Sequence, residues 1–443
     1  MKKYPFLVAF GFLFGGFGTL HAQRSYSLEE CTNLALQQSL QLQADALDLE
    51  KTNASVQQAY SALLPNLNAS GSYQYSPQVQ TSVIPSETFG GPSGTYIPAR
   101  LGVSQVKTAT VSLTQNIYNA SAVIGLKAAK VLVAGNQLQV RSSQEDLVYN
   151  VGATYYNIQS LDKQEELTLQ RLENTEALLA TTTQQLQAGL ATQTDVDRLT
   201  VTRDNTKANL ENLQNSKEKY YNLLKVLMNM PLEETVRVVP FQEDEVGAMP
   251  ENGFDALEKT NYLQLLQNKK LMTLEYQNIK AGYKPIVSLY ANYGYSGFQS
   301  DANPFKNING KFYPASSIGL KFSVPIFDGF NIKYQAKQKQ IELQKIDVQA
   351  KQILQNNEQE VANAHADLRS NLITYQSQKR NLALAQKVMA DINQQYQSGI
   401  VRVSDVINTT AELQNAQTNF VTALINFKQA EMSLKKAQGT LLP

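Results

Sequence analysis

Two aspartates stand at matching places in two related stretches of the chain. Asp195 lies in QLQAGLATQTDVDRLTVTRDN, which begins at Gln185, and Asp405 in QYQSGIVRVSDVINTTAELQN, which begins at Gln395. In each, a Gln-rich run reaches a glycine, Gly189 or Gly399, and the chain resumes at Thr194-Asp-Val or Ser404-Asp-Val; the glycines are 210 residues apart. A glycine that adopts the left-handed conformation ends a helix. A hydroxyl residue followed by an acid opens one, so Thr194 and Ser404 are predicted caps, with Asp195 and Asp405 in the first turn against the positive end of the helix. Capping is enough to explain each carboxylate without a ligand.

Other chemistry is scarce. There are two histidines and one cysteine. His21 falls in an apolar leader, and His365 sits alone in the heptad-like run EVANAHADL, where a helical histidine is a packing or surface residue rather than a metal ligand. Cys31 lies in the first helical pattern after the leader, reads as a small buried residue, and has no partner for a disulfide. No G-x-S-x-G elbow, phosphate-binding loop or dinucleotide glycine motif occurs. The census argues against an enzyme and calls for no cofactor or metal. The formal charge is +1, and −1 once Lys2 and Lys3 leave with the leader, so no basic field invites nucleic acid.

The leader itself, MKKYPFLVAFGFLFGGFGTLHAQ, has two lysines, an apolar run from Phe6 to Phe17 and a small residue at Ala22. It is a secretory signal over residues 1–22, too short and Gly-rich for a transmembrane helix. With 42% hydrophobic residues and no Trp over its whole length, the chain suits thin, extended packing rather than a thick core.

The elements that must position the two aspartates are long helices. From Asn331 to Ser398 there is neither Gly nor Pro. Apolar or small residues recur there in steps of three and four, among them Val361, Ala364, Leu368, Leu372, Tyr375, Leu382 and Tyr396, giving the narrow stripe of a coiled-coil-like helix about 100 Å long. The stripe resumes after Gly399 and ends at Gly439. The first half repeats the plan, with a helix from about Ala120 to Ala188 and another from Asp195 to Met230. Between the halves, residues 231–254 are rich in Pro, Gly and acids and read as an irregular connector.

The repeat extends to strands. LPNLNASGSYQYS from Leu64 and KPIVSLYANYGYS from Lys284 align with Tyr73 and Tyr75 on Tyr293 and Tyr295, an offset of 220. Both alternate, with Leu67, Ala69, Gly71, Tyr73 and Tyr75 against Asn66, Asn68, Ser70, Ser72 and Gln74 in the first. Return strands follow in VKTATVSLTQNIY and SSIGLKFSVPIF, the latter setting Ile318, Leu320, Phe322, Val324 and Ile326 against Ser317, Gly319, Lys321 and Ser323. About ten alternating residues with tyrosines near one end fit outer-membrane barrel strands, whose apolar face meets lipid. Soluble amphipathic hairpins on a core are the other way to use such strands. Four strands cannot close a barrel, for which about eight are needed, and an open edge cannot sit in lipid. Strands that span a membrane therefore require several chains to share one barrel.

On these segments, together with YSLEECTNLALQQSLQL from Tyr26, FSVPIFDGF from Phe322 and the close KKAQGTLLP, the chain resembles the TolC family of outer-membrane efflux and secretion ducts over nearly its whole mature length. The resemblance implies a mainly α, mixed fold: a homotrimer whose three sets of four strands make a twelve-stranded barrel in outer-membrane lipid, continued by long antiparallel coiled-coil hairpins as an α-barrel across the periplasm. The domains are then a first efflux repeat over 23–230, an equatorial connector over 231–254 and a second repeat over 255–443. A periplasmic adaptor (membrane fusion) protein and an inner-membrane pump or ABC transporter are the implied partners, in tripartite efflux or type I secretion.

The two related stretches become the hairpin tips of the duct. Three Asp405 carboxylates would meet at the mouth as a ring of like charge. The family often has a second acid three residues on, where this chain has Asn408. Tyr396 matches a position that latches neighbouring hairpins, with Arg402, one place beyond the expected position, as its basic partner. The tips differ: GLATQTDVDRL is more acidic, with Asp195 and Asp197, and GIVRVSDVINT more apolar, a difference by which adaptor hairpins could tell the two grooves apart. A secreted coiled-coil scaffold without transport is the alternative, disfavoured by the alternating strands. No stretch names the cargo.

Overall fold

The computed structural model of the chain describes residues 25–241, 254–300 and 311–442. The leader and residues 242–253 of the connector lie outside the described residues. In chain order the elements are β1 (Ser25–Tyr26), α1 (Leu28–Gln38), α2 (Leu40–Ser61), β2 (Asn66–Tyr75), β3 (Thr81–Pro85), β4 (Tyr96–Arg100), β5 (Gln105–Tyr118), α3 (Ala120–Gln187), α4 (Gln193–Leu227), β6 (Arg237–Val238), α5 (Thr260–Ala281), β7 (Ile286–Gln299), β8 (Phe312–Ser323), α6 (Asn331–Gln397) and α7 (Val403–Gln438). The contacts divide the chain into two compact units. Each unit draws on both sequence repeats.

The unit formed by residues 43–142 and 255–358 holds an antiparallel sheet of order β2-β5-β7-β8. Its ladders keep the alternation in phase. Leu67 pairs with Leu113, Val111 with both Ala69 and Tyr293, Ala291 with Ile318, Leu289 with Leu320 and Val287 with Phe322, so one face is apolar across all four strands. That face is bare: Leu67 is 70%, Ile318 76% and Phe322 68% exposed. Tyr73, Tyr75, Tyr293 and Tyr295 are exposed on the same face. The opposite face is polar and cross-linked by short contacts, Ser72 Oγ to Thr108 Oγ1 at 2.7 Å and Ser288 Oγ to Asn116 Oδ1 at 3.1 Å. One expectation shifts at a strand end. β8 stops at Ser323 rather than running to Ile326, because Pro325 has no N–H for the ladder. In β5 the register slips at Ile117, between Asn116 and Tyr118, which is a bulge. The hairpin β3–β4 gave no sequence signal strong enough to predict it.

In the same unit α5 packs on α6 through a polar pair. Asn261 Nδ2 donates to Asn357 Oδ1 at 2.9 Å and Asn357 Nδ2 returns a bond to Asn261 Oδ1 at 3.1 Å, with Asn357 wholly buried. A buried reciprocal amide pair fixes helix register, since any slip leaves both amides unpaired.

In the other unit, residues 1–42, 143–254 and 359–443, the described residues are helical apart from the parallel pair β1–β6 and the connecting turns. Its core is the predicted stripe: Val361, Ala364, Leu368, Tyr375 and Leu382 of α6 bury against Phe420, Leu424 and Phe427 of α7. The Tyr375 ring stacks on Phe427, centroids 5.9 Å apart. Gly152 in α3 is a close-approach site, since a Cβ there would lie 2.5 Å from Met432 Cε of α7. A capping box between Ser27 and Glu30 opens α1 and delivers Cys31, fully buried, to a second cluster with Val151, Ile158, Leu224 and Met228. Burial pushes the Cys31 thiol up to about 12, so it is an inert packing group, as the sequence indicated.

Asn261→Ala is expected to lower stability by about 1–3 kcal/mol, because it strands the buried Asn357 amide, whereas the double replacement Asn261→Leu with Asn357→Leu is expected to be much milder. Urea midpoints followed by helical circular dichroism test this.

Candidate functional site

Both turns singled out in the sequence lie in the helical unit and share one geometry. α3 ends at Gln187 and α6 at Gln397, each followed by a glycine in the left-handed region, φ 74° at Gly189 and 72° at Gly399. Leu190 N–H then reaches back to Gln185 O at 2.8 Å, and Ile400 N–H to Gln395 O at 2.9 Å, closing the helix as a Schellman motif. Such motifs commonly bury the apolar residue after the glycine against the helix, but here the facing residues are Gln185 and Gln395. Leu190 and Ile400 are left 80% and 73% exposed. They are the residues the sequence reading passed over, and the signal was available: an apolar residue after each glycine with a polar one five positions back.

The caps fall elsewhere than predicted. Thr192, not Thr194, caps α4: its Oγ1 accepts from Asp195 N–H at 3.3 Å, and Asp195 Oδ2 accepts from Thr192 N–H at 3.1 Å. Thr194 lies inside the helix, because the reciprocal box requires hydroxyl and acid three residues apart rather than adjacent. Ser404 is likewise inside α7. There Arg402 is the cap residue, and it has no side-chain acceptor; only the return bond forms, Arg402 N–H to Asp405 Oδ2 at 3.0 Å. Asp195 and Asp405 occupy the first turns as expected. The bonds from Thr192 hold the Asp195 carboxyl below the usual carboxylate range. Asp197 accepts from Gln193 Nε2 at 2.8 Å along the same turn.

Tyr396 connects the two hairpins. It is buried, its hydroxyl lies 2.9 Å from Thr182 Oγ1, and it donates to Gln185 Oε1 at 2.7 Å, so a residue of α6 is bonded to two of α3. Leu199, Val403 and Val406 pack around it. Arg402 is not brought to Tyr396; it is exposed, and its backbone N–H and C=O bond to Asp405. Asp405 and Asn408 are both exposed on the first turns of α7. The arrangement is a tied hairpin tip with solvent-facing carboxylates and two bare apolar residues. Among the described residues no group of three or more His, Cys, Asp or Glu could hold a metal.

Residues 31–229 and 274–440 match the outer membrane efflux protein family. The chain belongs to that family. It is a protein of the outer membrane, in a family of efflux channels. It is 24% identical to outer membrane protein TolC of Escherichia coli K12 over the whole chain and 87% of that protein. A crystal structure of CusC, described for its folding and transmembrane channel formation, superposes with a TM-score of 0.75 at 18% identity, covering 93% of this chain and 91% of that one. The open state of the Neisseria gonorrhoeae MtrE outer membrane channel gives 0.70 at 18% identity, covering 94% and 89%. These likenesses place long helical hairpins and a four-stranded sheet per chain within a known channel fold. Among the described residues no helix is long and apolar enough to cross a membrane.

Thr192→Ala is expected to weaken the start of α4 by about 1 kcal/mol and to speed amide exchange there, while Thr194→Ala leaves exchange unchanged. Because the folded Asp195 carboxyl titrates lower than the unfolded one, its contribution is present above the ordinary aspartate range and is lost as pH falls through the lowered value. Protection at the start of α4 is therefore expected to decline on acidification in the wild type and to be less pH-dependent in Thr192→Ala. Hydrogen exchange read by mass spectrometry checks both.

Proposed function

We propose that the chain forms a homotrimeric outer-membrane exit duct, opened at its hairpin tips by a periplasmic adaptor and fed by an inner-membrane pump, in efflux or type I secretion. The observation that carries this is the sheet: four strands with a bare apolar face and, among the described residues, two unpaired edges, β2 and β8. Lipid accepts that face and refuses those edges, so copies must pair edge to edge.

The register supports a particular closure. Tyr73 corresponds to Tyr293 in the repeat, yet its ladder row runs through Lys107 to Gly297, four residues further on. In the return strands SLTQNIY and KFSVPIF align with Ile117 on Ile326, so Val111 corresponds to Leu320, and its row runs through Tyr293 to Ser316, again four residues away and in the same sense. Each repeat of two strands thus climbs four residues. Six repeats, three chains, continue the same step into a closed barrel. Four residues are about 13 Å and two strand spacings about 9.6 Å, a tilt near 54° and a backbone radius of about 16 Å. That is steeper than most barrels and leaves an open lumen faced by Ser, Thr, Asn and Gln. The tyrosines, with the Lys107 ammonium 5.9 Å from the Tyr73 ring centre, suit the lipid–water interface.

At the hairpin tips, three copies bring three Asp405 carboxylates and three exposed Ile400 side chains to one mouth. The carboxylates form a single ring, since Asn408 adds no charge, and attract cations. Tyr396, bonded to Thr182 and Gln185, holds the hairpins together in the resting tip. Leu190, Ile400 and the acidic pair Asp195 and Asp197 present different surfaces to adaptor hairpins at the two grooves. The two efflux repeats, residues 23–230 and 255–443, with the connector 231–254 between them, are units of duplication.

The same repetition sets the register between copies: Lys321 faces Ser72 of the next chain on the lumen side. Lys321→Cys combined with Ser72→Cys is expected to cross-link into covalent trimers with a short thiol-reactive bridge, with Cys31 silent, while Ser317→Cys with Ser72→Cys links poorly. Absence of inter-chain products with the first pair in bilayers would sink the shared barrel. In planar bilayers, wild type is expected to show small cation-selective steps. Asp405→Asn keeps an acceptor for Arg402 N–H and removes the charge, so it is expected to lower cation selectivity with little change in tip protection; unchanged selectivity returns Asp405 to capping alone.

A further inference from the structure

Arg171 lies in the C-terminal half of α3 and is only 8% exposed. Its Nε is enclosed without a hydrogen-bond partner, and among the described residues its guanidinium makes no ion pair. Buried cations are ordinarily paired, because loss of hydration without a counter-charge is costly. Burial accordingly pushes this guanidinium below its ordinary pKa.

Arg171 opens onto a cavity of about 250 Å³ between α3, α6 and α7, all within the helical unit. No Asp or Glu lines it. The polar wall is made of amides, Asn174, Gln386, Asn393 and Gln417, none of which has a partner among the described residues, and Leu178 and Met389 give an apolar side. The hydroxyls in the wall are occupied on their own helices, Thr175 to Arg171 O and Thr410 to Val406 O. What faces the space is one guanidinium, several free amide N–H donors and a short apolar wall.

We propose that this cavity is a carboxylate-binding site, with Arg171 supplying the charge and the neighbouring amides the additional donors. One cation matches one monoanion, the planar fork of arginine matches two carboxylate oxygens, and the volume, about that of eight water molecules, takes a short organic acid. A bound carboxylate would bridge three helices of the tied hairpins and stiffen them. The carboxylate is either that of a free acid or that of an Asp or Glu side chain from a neighbouring copy.

The test is thermal unfolding of the full-length protein in detergent, with butyrate against chloride at matched ionic strength, for wild type, Arg171→Lys and Arg171→Gln, with native mass spectrometry of each. A free-acid site gives a saturable rise of the midpoint with butyrate but not chloride, at least about tenfold weaker in apparent affinity in Arg171→Gln and intermediate in Arg171→Lys. A site filled by a neighbouring chain gives no butyrate effect, but Arg171→Gln dissociates the oligomer under milder conditions and Arg171→Lys partly restores it. If butyrate behaves as chloride and Arg171→Gln does not weaken the oligomer, the proposal is overturned.

Discussion

A backbone N–H or C=O with no partner is what an apolar solvent tolerates least, and the sheet ends in two rows of them, on β2 and β8. Side-chain alternation alone would allow the sheet to rest its apolar face on a core, but no core meets it: Leu67, Ile318 and Phe322 are among the most exposed large side chains of the chain. A surface apolar across four strands, polar on the reverse, and open on both sides has few stable surroundings. Membership of an outer-membrane family supplies one, and it turns the edge problem into a rule of assembly. The helices face a weaker version of the same constraint. Their stripes bury residues such as Leu368 and Phe420 in tight clusters, yet long stretches of α2, α4 and α6 remain exposed, as expected of surfaces that find neighbours in an assembly.

Much of this was legible from residue types and spacing. The unbroken run after Asn331, the two glycines before Asp195 and Asp405, and the alternation around Tyr73 and Tyr293 each have one local physical cause, and each element formed where that cause operates. What misled were short-range rules competing within a few residues. Thr194 and Ser404 looked like caps because a hydroxyl precedes an acid, but a reciprocal box needs its members three residues apart, which Thr192 and not Thr194 satisfies with Asp195. Arg402 is not a residue one would choose as a cap; it has no acceptor to offer, and only the return bond forms, from Arg402 N–H to the Asp405 carboxylate inside the helix. The strand end at Ser323 follows from Pro325 and could have been read. The pairing of Tyr396 with Thr182 and Gln185 could not, since it joins residues more than 200 positions apart through packing that no local pattern encodes.

Two kinds of glue hold the helical unit, and they serve different ends. Aromatic and aliphatic clusters give most of the cohesion, being nondirectional and tolerant of small shifts. Polar contacts at fixed places, such as Tyr396 to Gln185 and, in the other unit, Asn261 to Asn357, specify which shift is correct, since a displaced helix leaves buried polar atoms unmatched. A channel that opens by sliding hairpins needs both. In the proposed duct the apolar seam would keep the helices together in either arrangement, and the polar tie at Tyr396 would distinguish one from the other.

Capping and gating are often set against each other as explanations for a carboxylate at a helix start. In Asp405 they are compatible. The bond from Arg402 N–H engages one oxygen, Oδ2, and leaves the charge in place. Held by its own backbone in an exposed first turn, that charge has a fixed position rather than the wandering one of a free side chain. A ring of carboxylates filters ions only if its members stay where symmetry puts them. In the proposed duct the cap would keep them there, and Gly399, in the left-handed region, is what lets the chain turn so tightly just before it.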